Sequence, residues 1–252
     1  MAMLDGLGVA ITGASSGIGE ATAEAFVKEG ANVALIARRK DKLDEIKNRL
    51  MGLDRGSATV YVANIVEPEE AKHAIDDFAQ KAGNLTILVN CAGVGVWGPA
   101  MEANLEDWNA MVDVNLRGLL NSTHAALSHL ARSATGTRGV ADIVSISSIA
   151  GRKIPGSSGS VYAATKHAVG AFSEGLRKEM AGQHVRVGLV EPGVVTTEMT
   201  TRGAPYAPDA RIPRGLGFLQ PEDVASAVLY MVTRSNHVAV NEILVRPTEQ
   251  VI

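Results

Sequence analysis

Sulfur chemistry is almost missing from this chain. Its 252 residues include one cysteine, Cys91, so no intramolecular disulfide can form, and the composition suits a reducing compartment. Aromatic residues supply only 4% of the sequence. No apolar run approaches the roughly 18 residues needed to cross a bilayer. The first residues lack a basic region and Asp5 interrupts their apolar character, so no secretory signal is expected and the cytoplasm is the expected location. The charge excess is small, -3, and basic pairs such as Arg38-Arg39 are short, which argues against a nucleic-acid partner. The six histidines are dispersed and no H-E-x-x-H occurs, so no metal site is expected.

What the chain does hold is glycine, 26 residues, and a 46% hydrophobic fraction. Short β-branched runs alternate with longer helical patterns. Strands are expected at 7–12, 32–37, 58–62, 86–89, 141–146, 185–190 and 242–245. Helices are expected at 18–29, 40–51, 67–82, 105–131, 161–181 and 221–233. Strands separated by helices of this length imply β-α-β units and a parallel sheet covered on both faces. The expected fold is α/β, a doubly wound (Rossmann) seven-stranded, mostly parallel sheet. With no linker and no repeat, residues 1–252 read as a single domain. The one long irregular stretch, 203–221, carries several glycines and prolines, and the candidate substrate loop is placed at about 198–221.

Thr12–Gly19 reads Thr-Gly-Ala-Ser-Ser-Gly-Ile-Gly. Between a strand and a helix, its glycines permit a tight turn and a close backbone approach to a pyrophosphate at the helix N-terminus. The same residues fit G-x-S-x-G, the turn that presents a hydrolase serine. That reading needs an earlier loop for the oxyanion hole, and only one strand precedes the motif. A dinucleotide fold that prefers NAD places an acid at the end of its second strand, about 20 residues on. Here no acid lies between Glu29 and Asp41, and the strand ends in Arg38-Arg39. Arginines pair with a 2′-phosphate where an acid would repel it, so NADP(H) is the favoured cofactor.

Tyr162 and Lys166 are four apart on an expected helix, hence on one face. An ammonium beside a phenol favours the phenolate and makes the pair a plausible general acid/base. Ser148 follows a strand whose carboxyl end faces the ligand crevice, as do the turns beginning at Asn90 and Pro192.

In order and spacing these stretches resemble the short-chain dehydrogenase/reductase family. Thr12–Gly19 matches T-G-x-x-x-G-x-G, and Asn90-Cys91-Ala92-Gly93 stands in the place of N-N-A-G. Ser148 is followed 14 residues later by Tyr162-x-x-x-Lys166, and Pro192–Thr197 matches P-G-x-V-x-T. Asn115 matches a further catalytic position of the family. The resemblance implies a catalytic set of Asn115, Ser148, Tyr162 and Lys166. Tyr162 would give its proton to a carbonyl oxygen that Ser148 orients. Lys166 would hold the nicotinamide ribose, and Asn115 would anchor a water leading to solvent. It implies cofactor contacts from Gly13, Ser15, Ser16, Gly17, Ile18, Gly19, Arg38, Arg39, Asn64, Ile65, Asn90, Ala92, Gly93, Tyr162 and Lys166. Pro192, Gly193, Val195 and Thr197 would complete that set at the carboxamide end. Trp97, Ile154 and Met199 are candidates for the wall around a small carbonyl or alcohol substrate. Helices near 105–131 and 161–181 pair between subunits in the family, which implies a homodimer or homotetramer.

The chain departs from the pattern at Cys91, where the family has asparagine, and at Asn64, where it has aspartate. The V-D-G-G tail is absent. The actual tail, with Glu191 before Pro192-Gly193, resembles the branch of NADP-dependent oxidoreductases that includes the clavulanic-acid-pathway aldehyde reductase. A dinucleotide-binding redox sensor without catalysis is the alternative that the motifs leave open.

Overall fold

Each strand alternates its side chains between two apolar layers. In β1 (Gly8–Thr12) Val9 and Ile11 enter one layer and Ala10 the other. β2 (Asn32–Ala37) repeats this with Val33 and Leu35 against Ala34 and Ile36. Because both faces are apolar, both must be covered, and helices do so. The computed structural model describes residues 3–53, 55–154, 158–201 and 215–251.

The remaining strands are β3 (Ser57–Val62), β4 (Ile87–Asn90), β5 (Ala141–Ile146), β6 (Val185–Pro192) and β7 (Glu242–Val245). All pair in parallel, in the order β3-β2-β1-β4-β5-β6-β7. The expected seven-stranded sheet is therefore observed, with strand boundaries shifted by one or two residues. Helices α1 (Gly17–Lys28), α2 (Lys40–Leu50) and α8 (Pro221–Val232) bring Phe26, Leu43 and Val228 to the first layer. Helices α3 (Pro68–Ala82), α5 (Gly118–Ala134) and α6 (Ser160–Met180) bring Phe78, Leu130 and Leu176 to the second. Local sequence fixes several ends: Pro68 starts α3, left-handed Gly83 stops it, and Gln220 with Asp223 forms a reciprocal cap on α8.

One expectation needs correction. The helix expected over 105–131 is not continuous. It runs as α4 (Leu105–Val112), a π turn over Asp113–Arg117, then α5. A π turn inserts one extra residue and rotates the helix beyond it. Here it draws Asn115 inward, and Gly118 just beyond lies where a Cβ would meet Ile65 Cδ1 at 2.7 Å. A short helix α7 (Glu198–Thr201) begins the expected substrate loop, and Leu219 near its end bridges Val195. Residues 202–214 of that loop lie outside the described residues.

The register brings the strand ends into line. Thr12 is opposite Ile36 on one side and Asn90 on the other, and Asn90 is opposite Ser145. The chain reverses its direction of travel across the sheet between β1 and β4, which opens a crevice at their carboxyl ends. There the two loops touch. The Thr12 hydroxyl oxygen accepts from the Cys91 and Ala92 amides at 3.1 and 3.3 Å. Gly13, at φ 70°, lies so close that a Cβ would be 2.6 Å from Ala92 Cα. Gly13→Ala is therefore expected to cost about 2–4 kcal/mol, backbone strain and steric clash together. Gly6 has the same φ of 70° with nothing within 4 Å, so Gly6→Ala should cost only about 1 kcal/mol. Urea midpoints at constant m would report both, and equal losses would remove the clash argument.

Candidate active site

The crevice is a cleft of about 750 Å³ at the carboxyl ends of the strands, within the range usual for small-molecule sites. Its floor at the β1 end is Gly13 and Ser15–Gly19, the start of α1. The first turn of α1 has no side-chain cap, although Ser16 stands at the N-cap. An uncapped helix N-terminus presents N–H donors and the positive end of the helix dipole to whatever occupies the cleft.

The end of β2 adds Arg38 and Arg39, which differ. Arg38 is exposed and lines the cleft. Arg39 is committed: its guanidinium donates to Ser15 Oγ at 3.0 and 3.1 Å, to Ser16 Oγ at 2.7 Å and to Glu198 Oε2 at 2.7 Å. Asn64 and Ile65, after β3, also line the cleft, and the Asn64 amide N–H donates to Glu70 at 2.7 Å. Cys91, Ala92 and Gly93 follow β4 along the wall. Asn90 does not face it; its side-chain amide turns away and donates to Thr123 on α5 at 2.9 Å.

At the other end, α6 carries Tyr162 and Lys166, both buried. Lys166 Nζ donates to the Ile146 carbonyl at 2.9 Å and lies 5.7 Å from the centre of the Tyr162 ring. With only 5% of Lys166 exposed, desolvation lowers its ammonium pKa from 10.5 to about 8. Desolvation pushes the neighbouring Cys91 thiol up to about 12, and its charge coupling to Lys166 offsets only part of the lysine's downward shift. Ser148 lines the cleft after β5. Its oxygen accepts from the Ala150 amide at 3.1 Å, which leaves its proton to donate elsewhere. Ser147, beside it, is turned inward and donates to the Lys166 carbonyl at 3.2 Å.

Asn115 is brought to the same place by the π turn. Its carboxamide accepts from the Val94 N–H at 2.8 Å and donates to the Val94 carbonyl at 2.9 Å and to Thr165 at 3.1 Å. It thus clamps the loop after Gly93 against α6. Pro192, Gly193, Val195 and Thr197 line the cleft after β6, and Thr197 approaches Gly17 closely enough that a Cβ there would meet its methyl at 3.2 Å. Gln250 of the tail accepts from the Val194 amide at 3.0 Å, fixing that turn from behind.

Of the three wall candidates, Trp97 and Met199 line the cleft. Trp97 packs 5.2 Å from the Tyr162 ring, and left-handed Gly159 (φ 95°) makes room for it, since a Cβ there would be 2.7 Å from Trp97 Cδ1. Ile154 is 66% exposed and is not among the described residues that line the cleft. Its β-branched apolar type gave no means of telling wall from surface. Glu198 and Val94 escaped the sequence reading. Glu198 meets Arg39 across 159 positions of chain, a distance at which no local signal exists. Among the described residues no group of three or more His, Cys, Asp or Glu could hold a metal ion, and no helix is long and apolar enough to cross a membrane.

A family model described as short chain dehydrogenase matches residues 8–205. An uncharacterised oxidoreductase of Staphylococcus aureus strain MRSA252 is 38% identical over 237 residues, 94% of this chain and 95% of that protein. Among solved structures, the closed form of a serine dehydrogenase complexed with NADP+ superposes with a TM-score of 0.85 at 32% identity, covering 98% of this chain and 97% of that one. A 3-ketoacyl-(acyl-carrier-protein) reductase from Brucella melitensis complexed with NADH superposes with a TM-score of 0.84 at 27% identity, covering 96% and 97%.

Proposed function

The chain belongs to the short-chain dehydrogenase family of oxidoreductases, and on that premise we propose that it interconverts a small carbonyl compound and its alcohol with NADP(H). The observation that carries this reading is the convergence, in one cleft, of an uncapped helix N-terminus, two arginines and the Ser148, Tyr162, Lys166 set. The donor set fits a dinucleotide phosphate at one end. The buried acid/base pair suits a reacting carbonyl at the other. Both relatives with bound nicotinamide nucleotides, one with NADP+ and one with NADH, support the class of cofactor.

Gly13, Ser15, Ser16, Gly17, Ile18 and Gly19 would hold the pyrophosphate by backbone and hydroxyl donors. Arg38 and Arg39 would hold a 2′-phosphate. Asn64, Ile65, Ala92 and Gly93 would line the adenosine and ribose side, and Pro192, Gly193, Val195 and Thr197 the nicotinamide side. The cofactor supplies or accepts the hydride. The protein handles the proton. In the reducing direction Ser148 donates a hydrogen bond to the carbonyl oxygen, and Tyr162 transfers its phenolic proton to the same oxygen, closing the alcohol O–H. The phenolate left behind is stabilised by the Lys166 ammonium and regains its proton from solvent. Asn115, with its carboxamide committed to Val94 and Thr165, acts by holding the loop over Lys166. Asn90 contributes from behind, through α5. Trp97 and Met199 shape the substrate end. The non-catalytic sensor reading has no use for a buried, desolvated lysine beside a tyrosine. Assembly into a homodimer or homotetramer belongs to the same proposal.

Initial rates with aldehydes, ketones and alcohols, each with NADPH or NADH (or the oxidised forms), test it; no turnover with any pair would overturn it. Arg38→Asp is expected to move the kcat/KM preference from NADP(H) toward NAD(H) by at least about tenfold, since it replaces the exposed cation by a charge that repels phosphate. An unchanged ratio would refute the 2′-phosphate assignment.

A further inference from the structure

We propose that Glu198 is a specificity-determining residue, an internal counter-ion that competes with the 2′-phosphate of NADP(H) for Arg39. The inference rests on the cofactor reading under Proposed function. It begins with how Arg39 is spent. Of its four shortest side-chain hydrogen bonds, two go to Ser15 and one to Ser16, in the loop that opens α1. The fourth goes to Glu198, which belongs to α7 and lies 159 positions away in sequence. The ion pair therefore ties the cofactor loop to the helix that carries Met199 and starts the candidate substrate loop.

The pair is half-exposed, with side chains 39% and 35% accessible. A pair that open is worth little against water, so a stronger anion displaces it readily. A phosphate dianion offers Arg39 more acceptors and more charge than the carboxylate does. Arg38, which has no such ion pair among the described residues, meets the phosphate without this competition. NADH has no 2′-phosphate and leaves the Arg39–Glu198 pair intact. The two cofactors thus differ not only in whether they meet the arginines but in whether they release α7. Glu198 lowers the selectivity for NADP(H) that two free arginines would give. In exchange, phosphate recognition by Arg39 is coupled to the position of α7.

The test is equilibrium binding of NADPH and NADH to the purified protein, followed by cofactor fluorescence, in wild type, E198Q, R39Q and the double variant. At low salt E198Q is expected to bind NADPH about 3- to 5-fold more tightly with NADH affinity unchanged, and the gain should shrink at high salt. In the R39Q background the same substitution should change nothing. Equal tightening of both cofactors, or a gain that persists without Arg39, would overturn the competition. Wild type that binds NADPH while E198Q matches it would overturn the competition and leave the functional reading standing. Wild type that binds neither nucleotide would overturn both. E198A, which leaves no amide to replace the carboxylate, gives the same reading should E198Q fold poorly.

Discussion

Tyr162→Phe is expected to lower carbonyl-reducing turnover by about 10²- to 10⁴-fold, the usual contribution of a positioned general acid. NADPH binding should stay within about 3-fold, because the substitution removes one hydroxyl and no phosphate contact. The fold should survive as well. The Tyr162 ring is buried and packs against Trp97 at 5.2 Å, with Met111 and Ala150 in the same cluster. Phenylalanine keeps that ring and its rotamers, so stability should change by no more than about 1 kcal/mol. The discriminating measurement is a single-turnover rate beside a binding isotherm on the same preparation. A variant that still reduces its carbonyl at near wild-type rate would remove Tyr162 from the chemistry. A variant that loses binding and turnover together would make the residue structural. The contrast depends on the substrate's oxygen lying at the phenol, not on the cleft being intact.

Lys166→Met should abolish turnover and yet stabilise the protein without cofactor. Burial, which outweighs the opposing effect of Cys91, lowers the Lys166 pKa to about 8 from 10.5. Between those two values the unfolded chain binds more protons than the folded one, so stability rises with pH across that window. Below pH 8 the full cost of holding the ammonium in the interior is present, on the order of 3 kcal/mol. Methionine removes that cost and leaves the Ile146 carbonyl without its donor, a loss of about 1–2 kcal/mol. The net gain is about 1–2 kcal/mol at pH 7, or roughly 3–6 °C in Tm for a chain of this size. Denaturant unfolding of both proteins from pH 7 to 10 gives the sign directly. The advantage of the variant should narrow as pH rises through 8. Parallel stability curves would mean that Lys166 is not desolvated in the folded state. Such a stabilising loss of function is what a site kept under electrostatic strain for catalysis predicts.

Much of this was legible before folding was considered. The alternation of β-branched runs with helical segments placed all seven strands within a residue or two, because period and turn chemistry are local. The glycines of Thr12–Gly19 and the Arg38-Arg39 pair could be read because each has a fixed place relative to a strand end. Tyr162 and Lys166 could be paired because one helical turn separates them. The π turn over Asp113–Arg117 could not be read. Nothing in Asp-Val-Asn-Leu-Arg distinguishes it from ordinary helix; the extra residue goes with the hydrogen bonds of Asn115 to Val94 and Thr165, both distant in sequence. Whether Ile154 belongs to the wall could not be read for the same kind of reason, since apolar type alone does not fix which side of a loop faces the cleft.

The sequence by itself determined the layered parallel sheet, the edge at which a ligand must sit, and the residue types that wait there. Those come from periodicities of two and 3.6 and from the fixed handedness of β-α-β crossovers, which need no distant contact. Tertiary structure alone decided how the two arginines divide their work. Adjacent in sequence and identical in chemistry, they separate because Ser15, Ser16 and Glu198 converge on Arg39 from two loops, while Arg38 remains exposed at the cleft. Tertiary structure also lowered the pKa of the lysine, because desolvation depends on everything packed around Nζ and not on the local sequence alone.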